Sequence, residues 1–217
     1  MGKFKTLGAI LVAVLALSAI GASAAQAEGT FEAEEYTAGL VVEQTETLEF
    51  ESEIGTMECE EVDMAGLMTE DASAISVVPE FEGCSIGGFE AIVEVNGCEL
   101  TIHGGEEISS EEFDSPLDVC GSGESEAAAE ITIVIPFTGC QITIKGQAGL
   151  GGLIVRPGGF FPPDLVIGVQ VAKIDAMLEN RPGKKCFFGV KKLPLGVHGG
   201  LTVGANGITP TVGLHLR

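Results

Sequence analysis

Three residue types that cooperate in acyl transfer occur here in a workable order. Gly83-Cys84-Ser85-Ile86-Gly87 fits the G-x-S-x-G pattern of a nucleophile elbow, and Asp118 and His198 follow it in the chain. An elbow needs a strand before the serine and a helix after it, so that the hydroxyl is held on a strained turn. Here the sequel is Gly88 and a strand-like Phe89–Val95 run, and Cys84 has the look of a structural half-cystine. The pattern lacks its context, and a secreted serine hydrolase is the most distant of the readings the residues allow.

Other chemistry-bearing residues are thinner still. His103, His198 and His215 are far apart in sequence and none has metal-ligand spacing to another. Paired carboxylates for glycoside cleavage need only a separation of ~5 to 10 Å. In a chain with 32 Asp and Glu some pair always qualifies, so the criterion selects nothing. With no Trp and Tyr36 as the one tyrosine, the aromatic platforms of a sugar-cleaving cleft are also missing. The segment Glu106–Asp118 is rich in the oxygens that calcium takes, but it has no D-x-[DN]-x-[DN]-G pattern. Calcium or another cation is therefore the alternative ligand, and an acidic loop without bound metal is the default. No constellation rises to an active site, and the expectation is a non-enzymatic protein with no cofactor.

Cys59, Cys84, Cys98, Cys120, Cys140 and Cys186 are the six cysteines. An even count in an exported chain reads as a disulfide framework, whereas zinc would ask for C-x-x-C pairs that are absent. Two stretches resemble one another: Ile75 to Ile86 and Ile131 to Ile142 each run from a β-branched segment through a proline to Phe-x-Gly-Cys-x-Ile. Chance similarity of two strand-to-turn corners is the competing account. If the match is a repeat, Cys84 and Cys140 are equivalent and each pairs with the cysteine upstream. That predicts Cys59 with Cys84 and Cys120 with Cys140, leaving Cys98 and Cys186 to pair or stay free.

The elements that must position these residues read as short strands with turn punctuation. Thr45–Glu53, Glu60–Met68, Ala74–Val78, Phe89–Val95, Cys98–His103, Glu130–Ile135 and Gln141–Lys145 are the expected strands. Gly66 hints at a bulge, and Asn96-Gly97 is a favoured two-residue hairpin turn. Gly104–Glu126 reads as an acidic loop. Ile167–Leu178 places Val171, Ile174 and Leu178 on one helical face, yet its Val and Ile suit a strand equally. The fold class is all-β, an antiparallel sandwich or barrel stabilised by disulfides, with a Gly/Pro-rich C-terminal extension.

Residues 1–27 have the three parts of a cleavable export signal. Lys3 and Lys5 form the basic start, Leu7–Ile20 the apolar run, and Ala25 and Ala27 the small-residue cleavage site. The apolar run is shorter than the ~20 residues that span a bilayer, and no later stretch replaces it. The protein is therefore expected outside the cell, with no transmembrane span. Charge divides the remainder. No Lys or Arg occurs between Lys5 and Lys145, while Asp164, Asp175 and Glu179 are the only acids after residue 144. An acidic domain over 28–145 and a basic Gly/Pro-rich extension or second β unit over 146–217 follow. The acidic part either binds cations, or docks the basic part, or simply keeps a secreted protein soluble, the reading favoured here. It repels phosphate backbones, which excludes nucleic acid as its partner. Crowded carboxylates also hold protons more tightly when folded, so mild acid, salt or calcium should raise the melting temperature.

Across residues 31–145, Glu35-Tyr36-Thr37-Ala38, Gly55-Thr56-Met57-Glu58-Cys59, Val78-Pro79-Glu80-Phe81-Glu82-Gly83-Cys84 and Val95-Asn96-Gly97-Cys98 form a characteristic succession. It resembles a group of secreted, cysteine-containing proteins of unknown function from actinobacterial genomes. The resemblance takes in five of the six cysteines. It implies a secreted, disulfide-stabilised β domain and no activity. Beyond Gly146, notably at Arg181-Pro182-Gly183-Lys184-Lys185-Cys186-Phe187-Phe188, the chain departs from that pattern. The partner, whether at a cell surface or a cation, is not named by the residues.

Overall fold

A computed structural model describes residues 29–33, 36–109, 112–121, 129–158, 165–206 and 214–216. The first strands are β1 (Phe31–Ala33), β2 (Ala38–Ser52), β3 (Gly55–Glu58), β4 (Glu61–Met68), β5 (Ala74–Glu82) and β6 (Ser85–Ile86). Next come β7 (Phe89–Glu90), β8 (Ile92–Asn96), β9 (Leu100–His103), β10 (Glu106–Ser109), β11 (Glu112–Val119) and β12 (Glu130–Ile135). The chain continues through β13 (Cys140–Lys145), β14 (Gln147–Pro157), β15 (Leu165–Asn180), β16 (Lys191–Asn206) and β17 (Leu214–Leu216). The fold is all-β, and the sandwich-or-barrel alternative resolves to a closed antiparallel barrel.

Closure follows from the pairing. The ring runs β2-β4-β5-β9-β11-β14-β15-β16 and returns to β2. Closing a sheet removes the unpaired edges that would otherwise template aggregation. Each wall strand alternates: Val62, Met64 and Met68 of β4 are buried while Glu61, Asp63 and Leu67 face outward. Β-strand side chains point to opposite faces at successive residues, so this pattern alone selects the inward face. The long strand β15 divides its hydrogen bonds. Its first half, Leu165–Val169, pairs with β14, and its second half, Ala176–Asn180, pairs with β13. From β13 a leaf continues through β12 to β8. Residues 131–135 of β12 are buried on both faces, which is why that strand reads as a β-branched, mostly apolar run without alternation.

Several expectations are corrected. The Gly/Pro-rich region after residue 145 is not a tail or a separate unit: β14 pairs with β11, and β16 pairs with β2. A boundary at 145 would cut through one continuous sheet. The acidic stretch Gly104–Glu126 is not a loop throughout, because β10 and β11 form a hairpin there; residues 110–111 and 122–128 lie outside the described residues. Asn96-Gly97 does not join a hairpin either. Strand β8 pairs with β12, whereas β9 pairs with β5 and β11, so the two strands part company at this turn. Gly66 sits in unbroken register with Leu40 on one side and Val77 on the other. It marks close approach instead of a bulge, since a Cβ there would lie 2.3 Å from the Ser76 carbonyl oxygen.

A bulge does occur in β15, one of several register shifts in the sheet. Val171 pairs with Val197 but Ile174 pairs with Leu195, so one extra residue is inserted on the β15 side. Buried positions then change phase, from Leu165, Ile167, Val169 and Val171 to Ile174, Ala176 and Leu178. A step of three between buried residues is what made this strand look helical in sequence.

All six cysteines are bridged: Cys59–Cys84, Cys98–Cys120 and Cys140–Cys186. The expected Cys120–Cys140 bridge is not formed. Leu100 and Val119 are ladder partners in β9 and β11, and the Cys120 amide donates to the Glu99 carbonyl, which brings Cys98 and Cys120 together. Cys140 opens β13 opposite Asn180 at the end of β15, which places it beside the connection that carries Cys186.

Candidate functional site

The hydrolase residues are not assembled. Ser85 lies in β6, a two-residue strand paired with β3 and β7, and a hairpin follows it where an elbow would have a helix. Asp118 has another partner: its Oδ2 is 3.1 Å from His103 Nε2, and its Oδ1 accepts from the Gly149 amide at 2.7 Å. His198 stands on β16 with its Nε2 3.5 Å from a Glu51 carboxylate oxygen. His215 falls in β17, in register with Glu32 of β1. The three residues in triad order therefore occupy separate settings.

Most of the calcium segment, Glu106–Asp118, lies on β10 and β11, and its residues 110–111 are outside the described residues. Within β11, Phe113, Ser115, Leu117 and Val119 are buried while Asp114 faces outward, so alternation sends the side chains to opposite faces. Oxygens on an extended strand do not converge as they do around a loop-bound cation. Among the described residues no cluster of three His, Cys, Asp or Glu is placed to hold a metal ion. The acidic side chains are instead arrayed across the barrel wall, where Glu61 faces Glu82 and Asp63 faces both Glu43 and Glu80.

Two features remain that a partner could use. The barrel interior holds a cavity of about 80 Å³ whose lining includes Leu48, Phe81, Leu117, Ile131, Val169 and Val197, with apolar side chains all round. Such a lining offers water no hydrogen-bond partner.

The other feature is at one end of the barrel, where three connections meet. Phe89 comes from β7, Phe137 from the β12–β13 turn, and Phe187 and Phe188 from the β15–β16 connection. Phe89 and Phe137 stack with centroids 5.1 Å apart and planes 6° from parallel, and Phe187 meets Phe188 edge-on at 5.4 Å. Together with Thr138, Lys185 and Cys186 they line a groove of about 580 Å³. Phe137 is 82% exposed and Phe187 is 84% exposed. Side chains of this size bury most of their surface in ordinary folds, so a contiguous exposed set marks a contact surface.

The chain beneath this surface is pinned. The Cys140–Cys186 bridge joins the β12–β13 turn to the β15–β16 connection. The Phe187 amide donates to the Thr138 carbonyl at 3.1 Å, and the Arg181 amide donates to the Gly139 carbonyl at 3.0 Å. Asn180 Oδ1 accepts from the Cys186 amide at 2.9 Å. On the Phe89 side, Cys59–Cys84 anchors the start of the β6–β7 hairpin, and the Ala91 amide returns to the Cys84 carbonyl. Two of the three disulfides thus hold the backbone that presents the phenylalanines.

Residues 181–192 carry Arg181, Lys184, Lys185, Lys191 and Lys192 and no acid. Lys191 pairs with Glu53 at 2.9 Å. Lys184 and Lys185 are exposed and enter no ion pair with a described residue. The segment with Phe187 and Phe188 is legible in sequence as a departure from the pattern upstream, but the exposure of the phenylalanines is not, because a Phe in a primary structure reads first as core. Their position after turn residues, at Pro136-Phe137 and Lys185-Cys186-Phe187, was the available signal. Comparison with protein-family models, with curated proteins and with solved structures gives no match for this chain.

Proposed function

We propose that the protein is exported and acts outside the cytoplasm as a non-enzymatic, disulfide-braced β module whose contact surface is the phenylalanine-bearing end of the barrel. The observation that carries this reading is the combination of Phe137 and Phe187 standing almost fully exposed with a backbone fixed by Cys140–Cys186. Exposed apolar groups on a floppy segment would fold back onto the barrel. Groups held out by covalent and hydrogen-bonded supports meet a partner with little further loss of conformational freedom. Three disulfides fit a protein that matures in an oxidising compartment. The N-terminal signal pattern favours the same location.

The test is retention on envelopes of the producing cells, comparing the mature chain with a Phe137→Ser/Phe187→Ser variant. Both side chains are exposed, so melting should be unchanged, which circular dichroism would check. Retention of the native chain and release of the variant is the expected result. Equal behaviour of the two would reject this end as the contact surface, and labelling of Ser85 by a fluorophosphonate would reject the non-enzymatic part.

A further inference from the structure

We infer that the partner of this surface is a lipid bilayer with anionic headgroups, into which the phenylalanines insert while Lys184 and Lys185 meet phosphate. The inference rests on the contact-surface reading above and names what is contacted. Three aspects of the end point to lipid. First, the apolar groups are all phenylalanine, with no indole N–H or phenol O–H to satisfy. Phe can enter the acyl boundary, where an amphipathic ring stays at headgroup level. Second, Phe137 and Phe187 stand 82% and 84% exposed along an open groove, and a fluid apolar phase accommodates such exposed groups without a shaped counterpart.

Third, the charge is local and of the right sign. The chain is −21 overall, yet residues 181–192 are wholly basic. At physiological ionic strength charges beyond ~8 Å are largely screened, so a membrane touching this end responds mainly to the nearby lysines. A second copy of the chain is a poorer fit. Phenylalanine-to-phenylalanine docking would bring the Lys184 and Lys185 pairs of two copies face to face. Acids also occur near this end, since Glu90 adjoins Phe89 on β7 and Glu53 is engaged by Lys191, while Lys184 and Lys185 form no ion pair with a described residue.

Co-sedimentation of the full mature chain with phosphatidylcholine vesicles, with and without phosphatidylglycerol, tests the inference. Binding to the phosphatidylglycerol vesicles is expected, falling as salt rises. Lys184→Gln/Lys185→Gln should weaken it about 30-fold, as two charges at an anionic surface would. Phe137→Ser/Phe187→Ser should weaken binding to vesicles of either composition. No binding to phosphatidylglycerol vesicles overturns the inference. Equal binding by the serine variant, full competition by a soluble polyanion such as dextran sulfate, or dimerisation through this end in sedimentation does so too. Phenylalanine-dependent retention on envelopes together with no vesicle binding would sink the lipid assignment alone and leave the contact surface standing.

Discussion

Glu61 and Glu82 are direct cross-strand neighbours in β4 and β5, and Asp63 lies on the same outward face two residues on. Like charges at such positions repel, and Glu61 bears the consequence. The Asp63 carboxylate first, and then Glu82, raise its pKa above the ordinary glutamate value. A carboxyl with a raised folded pKa contributes stability that is present below its unfolded value and is lost as pH rises through the folded one. Glu61→Gln should therefore melt higher than the native chain at neutral pH, with the gap closing in mild acid and in salt. Thermal scans across that range check it, and a constant gap would remove the repulsion argument. Tyr36 also has a raised pKa, chiefly because its hydroxyl donates to the Asp71 carboxylate.

Among the elements, β4 shows most directly what a residue choice does to a strand. Gly66 keeps its register because nothing projects toward Ser76. Gly66→Ala should destabilise by about 1 to 3 kcal/mol, the ordinary penalty for overpacking, measured as a fall in denaturant midpoint. Strands such as β4, β5 and β12 could be read from sequence because alternation, or a run buried on both faces, leaves a direct signature. Strand β15 could not, since its bulge disguises period two as a helical step. The turn at Asn96-Gly97 misled for a different reason: local preference fixes a bend, while the partners of β8 and β9 are chosen by strands far along the chain. The same limit applies to the cysteines. Likeness between the Cys84 and Cys140 corners suggested upstream partners for both. Cys59 does join Cys84, but Cys140 is delivered to Cys186 by the β13–β15 ladder. Of the contact surface, the Lys184–Phe188 segment stands out in sequence, whereas its union with Phe89 and Phe137 does not, because distant turns supply those two.

At the scale of the whole molecule, the reversal of charge at residue 145 divides composition and not structure. The basic C-terminal strands complete a ring begun by acidic ones, with Lys191 against Glu53 across the β2–β16 end of the wall. A chain ending at Lys145 would leave β2 without β16 and β11 without β14, so the ring could not close. It should fail to give a cooperative melt, and a sharp transition would restore the idea of an independent acidic domain. The Cys140–Cys186 bridge spans 46 residues, against 25 for Cys59–Cys84. In the chain-entropy model these correspond to about 4 and about 3.5 kcal/mol. Paired Cys→Ala removal of the longer bridge should lower unfolding free energy by that order, as denaturant titration would show. The apolar interior space adds a mechanical property. A void of 80 Å³ is equivalent to about 50 mL/mol, within the ~20 to 100 mL/mol by which unfolding typically shrinks a protein's volume. Hydrostatic compression should thus favour the unfolded chain, and enlarging Val169 to Ile would make the barrel more resistant to it.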